Sequence, residues 1–595
     1  MRTPATPPRH RAHVVVAAAL VVIGLGAGAA WASGAGPWSE PAAAPIAAHS
    51  LVARQPAVTA SAVPGVRGGA VVRTTSRPLV RLDVAAGGRT GTPTPTGPAP
   101  VTTTTTTSHP AHAGPGWGGV PAPANFDHQP TVSHVVSMRP VVAAVEAAPQ
   151  QSIDGFGASG GWWPTSLAAF PASARAHLGQ LLFGPSGLEL SQYRYNIGGG
   201  GIGVTDRYKA PPTFLRPDGS YSWGADPKGL TFLQMAASYH VPQLIGFVNS
   251  APPQYTSDAK SCGGTLNPSS INAYAGYLAQ VVEHLYTADG IRLSYVSPMN
   301  EPDTSQPSCR QEGMAVPVAE RAALVKVVAA AMSSTSAHPG VIGDESSLVR
   351  QVLAENPDWV ASAGSALAVD AHHTYDYPGP AELSRLSSTV GVPHWASEIC
   401  CFNGASFGWG FDPTMTSALW LANTIIGDLG TAHDSAFDWW VAASPNSGCD
   451  PSTSPGCDSQ PQTTGRNDGL VYFDRNWRTD HDYSLYLTKR YWAMAAFSRY
   501  VRPGAVVHEV SGLPSYVRAL AFSGPNGWTI VAVDSSSTNR VRTSFSVPAA
   551  VDGHKARAYV TSETSDLRAT PASGGSGQVS VTVQPRSITT VVVPN

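Results

Sequence analysis

Between Ile153 and Val441 short apolar runs alternate with amphipathic stretches, and this alternation restricts the fold more than any other feature of the chain. The runs lie near Ile153–Phe156, Leu188–Ile197, Gln243–Val248, Leu293–Val296, Gly340–Ile342, Ala366–Ala371, Val392–Ala396 and Ala436–Val441. Amphipathic segments such as Ser270–Leu285, Val318–Met332, Leu348–Ala361 and Thr416–Leu429 lie between them, and a ninth helix-like stretch, Tyr483–Tyr500, closes the series. Eight strand-then-helix units in about 350 residues predict a (β/α)8 TIM barrel, an α/β fold, over 153–503. An open doubly wound sheet is the competing arrangement. It is weakened because no G-x-G-x-x-G follows the first strand and opens a helix with an acidic residue at the right distance.

After Pro503-Gly504 the helical period disappears. Val506–Val510, Tyr516–Phe522, Trp528–Val533, Val541–Phe545, Ala556–Thr561, Val579–Val583 and Ile588–Val593 read as strands, with turns at Pro525-Asn526-Gly527, Asp552-Gly553 and Gly574–Gly577. Short strands at this spacing predict an antiparallel β-sandwich over 504–595. Valines between 131 and 152 predict further strands that join it from the other side of the barrel.

The N-terminus combines Arg2, Arg9 and Arg11 with an uncharged run from Val14 to Ala30 and then Ala30-Trp31-Ala32. A basic start, an apolar centre and an A-x-A site predict a signal peptide over 1–32 and a secreted protein. A retained membrane anchor is the alternative, because the run is almost long enough to span. Residues 33–130, with Thr92-Pro93-Thr94-Pro95-Thr96 and Thr102–Thr107, lack the apolar surface needed to offset ordering entropy and read as a disordered linker, with tethering to the cell envelope as a conceivable role. Six cysteines without a CxxC or ligand-spaced histidines point to disulfides in an oxidising compartment and away from zinc. Cys400 and Cys401 are adjacent, Cys449 and Cys457 flank a polar loop, and the connectivity stays open. With 37 basic against 39 acidic side chains, no basic excess suggests nucleic acid or a membrane surface as partner.

Two glutamates stand directly after predicted strands: Glu301 in Ser297-Pro298-Met299-Asn300-Glu301-Pro302, and Glu398 in Trp395-Ala396-Ser397-Glu398. A carboxylate at the end of a buried strand is costly unless it is paired or used. By strand count Glu301 ends the fourth and Glu398 the seventh, on the face of a barrel where catalytic groups sit. Arg194 and Asn196 on strand two, Asn249 after strand three, His373 and Tyr375 after strand six, and Trp439 and Trp440 on strand eight fall at equivalent places. Paired carboxylates perform glycoside hydrolysis, one as proton donor and the other as nucleophile or base. Arg194 beside Glu398 would favour its ionised, nucleophilic form, and that charge would leave Glu301 as the proton donor. Asn300 would bind a sugar hydroxyl, Tyr375 would donate to Glu398, and Trp440 or Trp163 would stack on a pyranose. This chemistry calls for no metal or organic cofactor.

Five stretches then carry a specific resemblance: Ile153-Asp154-Gly155-Phe156-Gly157, Arg194-Tyr195-Asn196-Ile197-Gly198-Gly199-Gly200, Asn249-Ser250-Ala251-Pro252-Pro253, Asn300-Glu301-Pro302 and Ser397-Glu398. Together with Phe497–Gly504 and Pro585-Arg586-Ser587-Ile588-Thr589-Thr590, they resemble glycoside hydrolase family 30 from about Thr131 to Asn595. The resemblance implies a clan A barrel with a side β-sandwich and retention of configuration. It also implies Glu301 as acid/base and Glu398 as nucleophile. The expected partner is an oligosaccharide or polysaccharide, and the expected state a monomer. The Asn-Ser-x-Pro-Pro stretch and Gln311-Glu312-Gly313 look most like the endo-β-1,6-galactanase branch. Ala251, Gln254-Tyr255 and Cys400-Cys401 depart from that pattern where subsites are expected, which bears on linkage and not on the reaction. Within the class the competitors are a β-xylanase, a β-1,6-glucanase and a glucosylceramidase-like enzyme. An inactive carbohydrate-binding protein on the same scaffold is the competitor from another class. A serine hydrolase is disfavoured, since no G-x-S-x-G stands at a strand end.

Overall fold

The computed structural model describes residues 134–388, 391–548 and 551–595; the expected signal peptide and linker lie outside the described residues. Eight parallel strands form the barrel: Gly155–Ser159, Gln192–Asn196, Gln243–Phe247, Tyr295–Ser297, Gly340–Ser346, Val369–His373, His394–Glu398 and Ala436–Ser444, here called strands one to eight. Each pairs with the next, and strand eight closes the ring by placing Ala436 beside both Trp395 of strand seven and Gly155 of strand one. The predicted eight-unit barrel is the observed fold. Its helices begin where local chemistry allows: Asp226 accepts the Gly229 N–H ahead of Pro227–Ser238, and Thr414 accepts the Thr416 N–H ahead of Met415–Gly427.

The two ends of the barrel differ in polarity. Near the strand N-termini Ile245, Ile342, Val369, Ala371, Trp395 and Ala436 form a buried apolar floor, with the Tyr295 ring edge-on to Trp395 at 4.9 Å. Full burial of such side chains contributes roughly 1.5–3 kcal/mol each. Polar and charged side chains gather instead at the C-terminal ends, above this floor.

Beside the barrel a single sheet folds over into a sandwich around Ala143, Val145, Ala521, Ile530, Ala532, Val541, Phe545, Val581 and Val591. Val506–Ser511 turns the corner, pairing first with Val517–Gly524 and then, through Val510 and Ser511, with Val141–Val145. The strands preceding the barrel enter this sheet. The pairing of Val141–Val145 with Asn539–Ser546 is parallel, however, within an otherwise largely antiparallel sheet. No hairpin links these two strands, so nothing forces them to run in opposite directions. Ser565–Thr570 and Ala572–Gly575 are additional strands that polar composition concealed.

The stretch expected to be helical over Tyr483–Tyr500 divides. Leu485–Leu487 is a strand paired with Gly469–Phe473, which extends strand eight outside the ring, and only Lys489–Ser498 is helix. Thr488, in extended backbone, separates the two. Three disulfides, Cys262–Cys309, Cys400–Cys401 and Cys449–Cys457, include every cysteine of the chain. No helix among the described residues is long and apolar enough to cross a membrane.

Candidate active site

The C-terminal ends of strands two, four, five, six, seven and eight bring one cation, one histidine and several carboxyl groups together. Arg194, 1% exposed, is their centre. Its Nη1 donates to Glu398 Oε2 at 2.9 Å, to the Ser397 carbonyl at 2.9 Å and to Ser159 Oγ at 3.1 Å. Its Nη2 donates to Glu345 at 3.3 Å and to Asn300 Oδ1 at 3.5 Å, and the guanidinium lies 4.5 Å from the Phe247 ring centre. A guanidinium suits this position because its five donors are fixed in a plane that a lysine cannot reproduce.

Glu398 also accepts the Tyr375 hydroxyl at 2.9 Å, so a cation and a phenol converge on one carboxyl group. Glu301 is bound differently. It accepts the Gln306 side chain at 3.0 Å on Oε2, whereas its buried Oε1 has no hydrogen-bond partner among the described residues and faces His373 Nδ1 at 3.6 Å. Its backbone is left-handed at φ 46°, and its N–H donates to the Glu345 carbonyl at 2.8 Å. A non-glycine residue in that region costs on the order of 1–3 kcal/mol and persists only where its surroundings over-determine it. Burial pushes the Glu301 carboxyl above the ordinary range; the Glu398 charge adds to this, while His373 opposes it.

His373, fully buried, lies among three carboxyl groups. Nε2 is 3.2 Å from Glu345, and Nδ1 is 3.6 Å from Glu301 and 3.7 Å from Glu398. Burial alone would lower its pKa, but Glu398, Glu301 and Glu345 raise it to about 10, which makes it an imidazolium at neutral pH. Glu345 shows the opposite balance: burial would raise it, yet Arg194, His373 and Ser397 bring it down to about 2. Asp438 on strand eight is pushed up to about 8 by burial, only partly offset by Arg194 and reinforced by Glu345 and Glu398. Its carboxyl occupies the space beside Gly157, where a Cβ would come within 2.1 Å of Oδ1, so strand one requires glycine there.

The structure therefore brings Arg194, Asn300, Glu301, His373, Tyr375 and Glu398 to one place. Asn249 is adjacent, donating to Asn196 at 3.3 Å. The stacking role expected of Trp163 is corrected. Its ring is fully buried against Phe232 and its Nε1 donates to the Ser159 carbonyl, so no face is open to a sugar. Trp440 is 2% exposed and edge-on to Trp162. Sequence reasoning missed Glu345, Asp438 and Gln306. Glu345 carried a usable signal, since Asp344-Glu345 follows the fifth apolar run as Glu301 and Glu398 follow theirs. Glu301, His373 and Glu398 offer atoms within 4.8 Å of one another, close enough to share a metal ion, as do Asp450, Asp474 and Asp480. In the first group Arg194 and the imidazolium already supply the positive charge such an ion would bring.

A closed barrel with a side sandwich and paired carboxyls at its strand ends defines an O-glycosyl hydrolase. Residues 141–377, which include Glu301 and Glu345 and stop short of Glu398, match the model of the family described as O-Glycosyl hydrolase family 30. The fold is shared with the catalytic domain of the family 30 xylanase C from Talaromyces cellulolyticus (TM-score 0.62, 24% identity, 76% of this chain and 100% of that one). It is shared too with a conserved exported protein from Bacteroides fragilis (TM-score 0.65, 21% identity, 76% and 100%). An endo-β1,6-glucanase aligns with a TM-score of 0.55 at 16% identity over 76% of this chain and 95% of that one.

Proposed function

We propose that the chain is a secreted, retaining β-glycoside hydrolase of the family 30 type that cuts β-1,6-galactan internally. One observation carries the reaction: an oxygen of Glu301 and an oxygen of Glu398 lie within 4.8 Å, and the two carboxyls have opposite surroundings. Retaining enzymes hold these groups about 5–5.5 Å apart, too close for a water between them and the sugar. Glu398, held by Arg194 and Tyr375, attacks the anomeric carbon while Glu301 gives its proton to the departing glycosidic oxygen. The glycosyl–Glu398 ester is then opened by a water whose proton returns to Glu301, so no proton is gained or lost over the cycle.

The galactan assignment rests on Asn249-Ser250-Ala251-Pro252-Pro253 and Gln311-Glu312-Gly313. Export rests on the basic, apolar and A-x-A segments of the N-terminus, and three disulfides are in keeping with it. The test is digestion of β-1,6-galactan, xylan and β-1,6-glucan with linkage analysis of products, and proton NMR of the first anomer released. Release of the β-anomer from galactan is expected. The α-anomer would overturn retention, and xylan cut in preference to galactan would overturn the substrate alone.

A further inference from the structure

Among the described residues, the side-chain hydrogen bonds and ion pairs of Glu345 go to the machinery around the two glutamates. Its side chain is fully buried. Its carboxylate accepts from Arg194 at 3.3 and 3.4 Å, from Ser397 Oγ at 2.5 Å and from His373 at 3.2 Å, and its carbonyl accepts the Glu301 N–H at 2.8 Å. Each partner leads to a reacting group: Arg194 is bonded to Glu398, Ser397 precedes it in the chain, and His373 stands between Glu398 and Glu301. We propose that Glu345 is a positioning residue that fixes the geometry of Glu301 and Glu398 and the pH range in which they work, without touching substrate. The inference rests on the reading of Glu301 and Glu398 given above.

The groups facing Glu345 are Arg194 on strand two, Glu301 after strand four, His373 on strand six, Glu398 on strand seven and Asp438 on strand eight. Arg194 and the His373 imidazolium face the Glu345 carboxylate with positive charge, while burial pushes the Asp438 and Glu301 carboxyls up. Removing the negative charge of Glu345 makes proton loss easier for every remaining acid, whichever of His373 and Glu301 releases first. The alkaline limb of the rate profile therefore moves to lower pH.

The experiment compares kcat/KM against pH for the parent, Glu345→Gln and Glu345→Asp on an aryl β-glycoside that the parent cleaves, with thermal unfolding as a check on folding. Glu345→Gln is expected to shift the alkaline limb acidward by roughly one to two pH units. Glu345→Asp keeps the charge but withdraws the carboxylate, so kcat should fall about tenfold with the parental profile and KM retained. A folded Glu345→Gln with the parental profile overturns the proposal. Should Glu345→Gln fail to fold, parental kcat in Glu345→Asp overturns it. A Glu398→Gly control, reactivated by azide to yield the inverted glycosyl azide, tests the underlying reading separately. If that control fails, the assignment of the reacting pair falls and this proposal falls with it; if it succeeds, the Glu345 variants decide alone.

Discussion

Replacing Arg194 with methionine keeps much of the volume and removes the guanidinium hydrogen-bonded to both Glu398 and Glu345, leaving His373 as the other cation beside them. At a separation of about 4 Å and an effective dielectric of about 20, one such pair is worth about 4 kcal/mol, or about three pH units. Glu345, which Arg194 helps to hold at about 2, then moves up toward the ordinary carboxylate range, and Glu398, the proposed nucleophile, loses the guanidinium that orients it. Loss of a positive charge makes proton loss harder for the remaining acids and moves the rate profile to higher pH, opposite to the shift expected for Glu345→Gln. Kcat on an aryl β-glycoside at pH 6 should fall by about 10²–10⁴. Stability should drop by about 3–5 kcal/mol in urea titrations at pH 7, since one partner of a buried pair has been removed. The assay is the pH dependence of kcat together with the urea midpoint at pH 7. A folded Arg194→Met enzyme within threefold of parental kcat, with an unmoved profile, would refute the electrostatic account of the site.

Further expectations concern single groups. Glu301→Gln should lower kcat on a glycan by about 10²–10⁴, and much less on an aryl glycoside with an activated leaving group, where azide should restore turnover and give a retained product; equal losses on both substrates would remove Glu301 as the proton donor. Since the Glu301 carboxyl is raised by burial, activity should persist above the ordinary carboxylate range and be lost as pH rises through that raised value, as a kcat/KM titration can read. Burial would lower His372, but Asp434 at 3.0 Å raises it to about 9. A pKa raised on folding stabilises fully below about 6.5 and ceases to do so as pH rises through about 9, so His372→Gln should lower the urea midpoint more at pH 6 than at pH 10. Cys262–Cys309 closes a 47-residue separation, for which the chain-entropy relation gives about 4 kcal/mol. Cys262→Ser/Cys309→Ser should lose about that amount in denaturant titrations, and an unchanged midpoint would contradict the estimate.

The chain itself announced its barrel because strands buried on both faces must be apolar throughout, and helices covering them must be amphipathic; Gln243–Phe247 and Ile271–Thr287 meet those demands wherever their neighbours lie. The same logic exposed Glu301 and Glu398, whose cost after an apolar run is visible locally. Leu485–Leu487 was misread because its apolar residues fit a helical period as well as a strand, and only the neighbouring Gly469–Phe473 makes it a strand. Trp163 was misplaced for a related reason: adjacency to the first strand end does not reveal which way a ring points, and Phe232, far along the chain, decides that it points inward. Glu345 had the local signature, but of Asp344 and Glu345 only one enters the barrel. Asp344 turns outward to Arg321 at 2.6 Å, and a register shift between Asp344 and Ser346 helps to set which side each faces. What the sequence determined alone was thus the order of strands and helices and the two carboxylates at their ends, because each depends on burial and period along a short span. What tertiary structure decided was the charge balance among Arg194, His373, Glu345, Glu398 and Asp438. Protonation in a buried cluster depends on distances of a few ångströms between residues contributed by five different strands, and no local pattern encodes those.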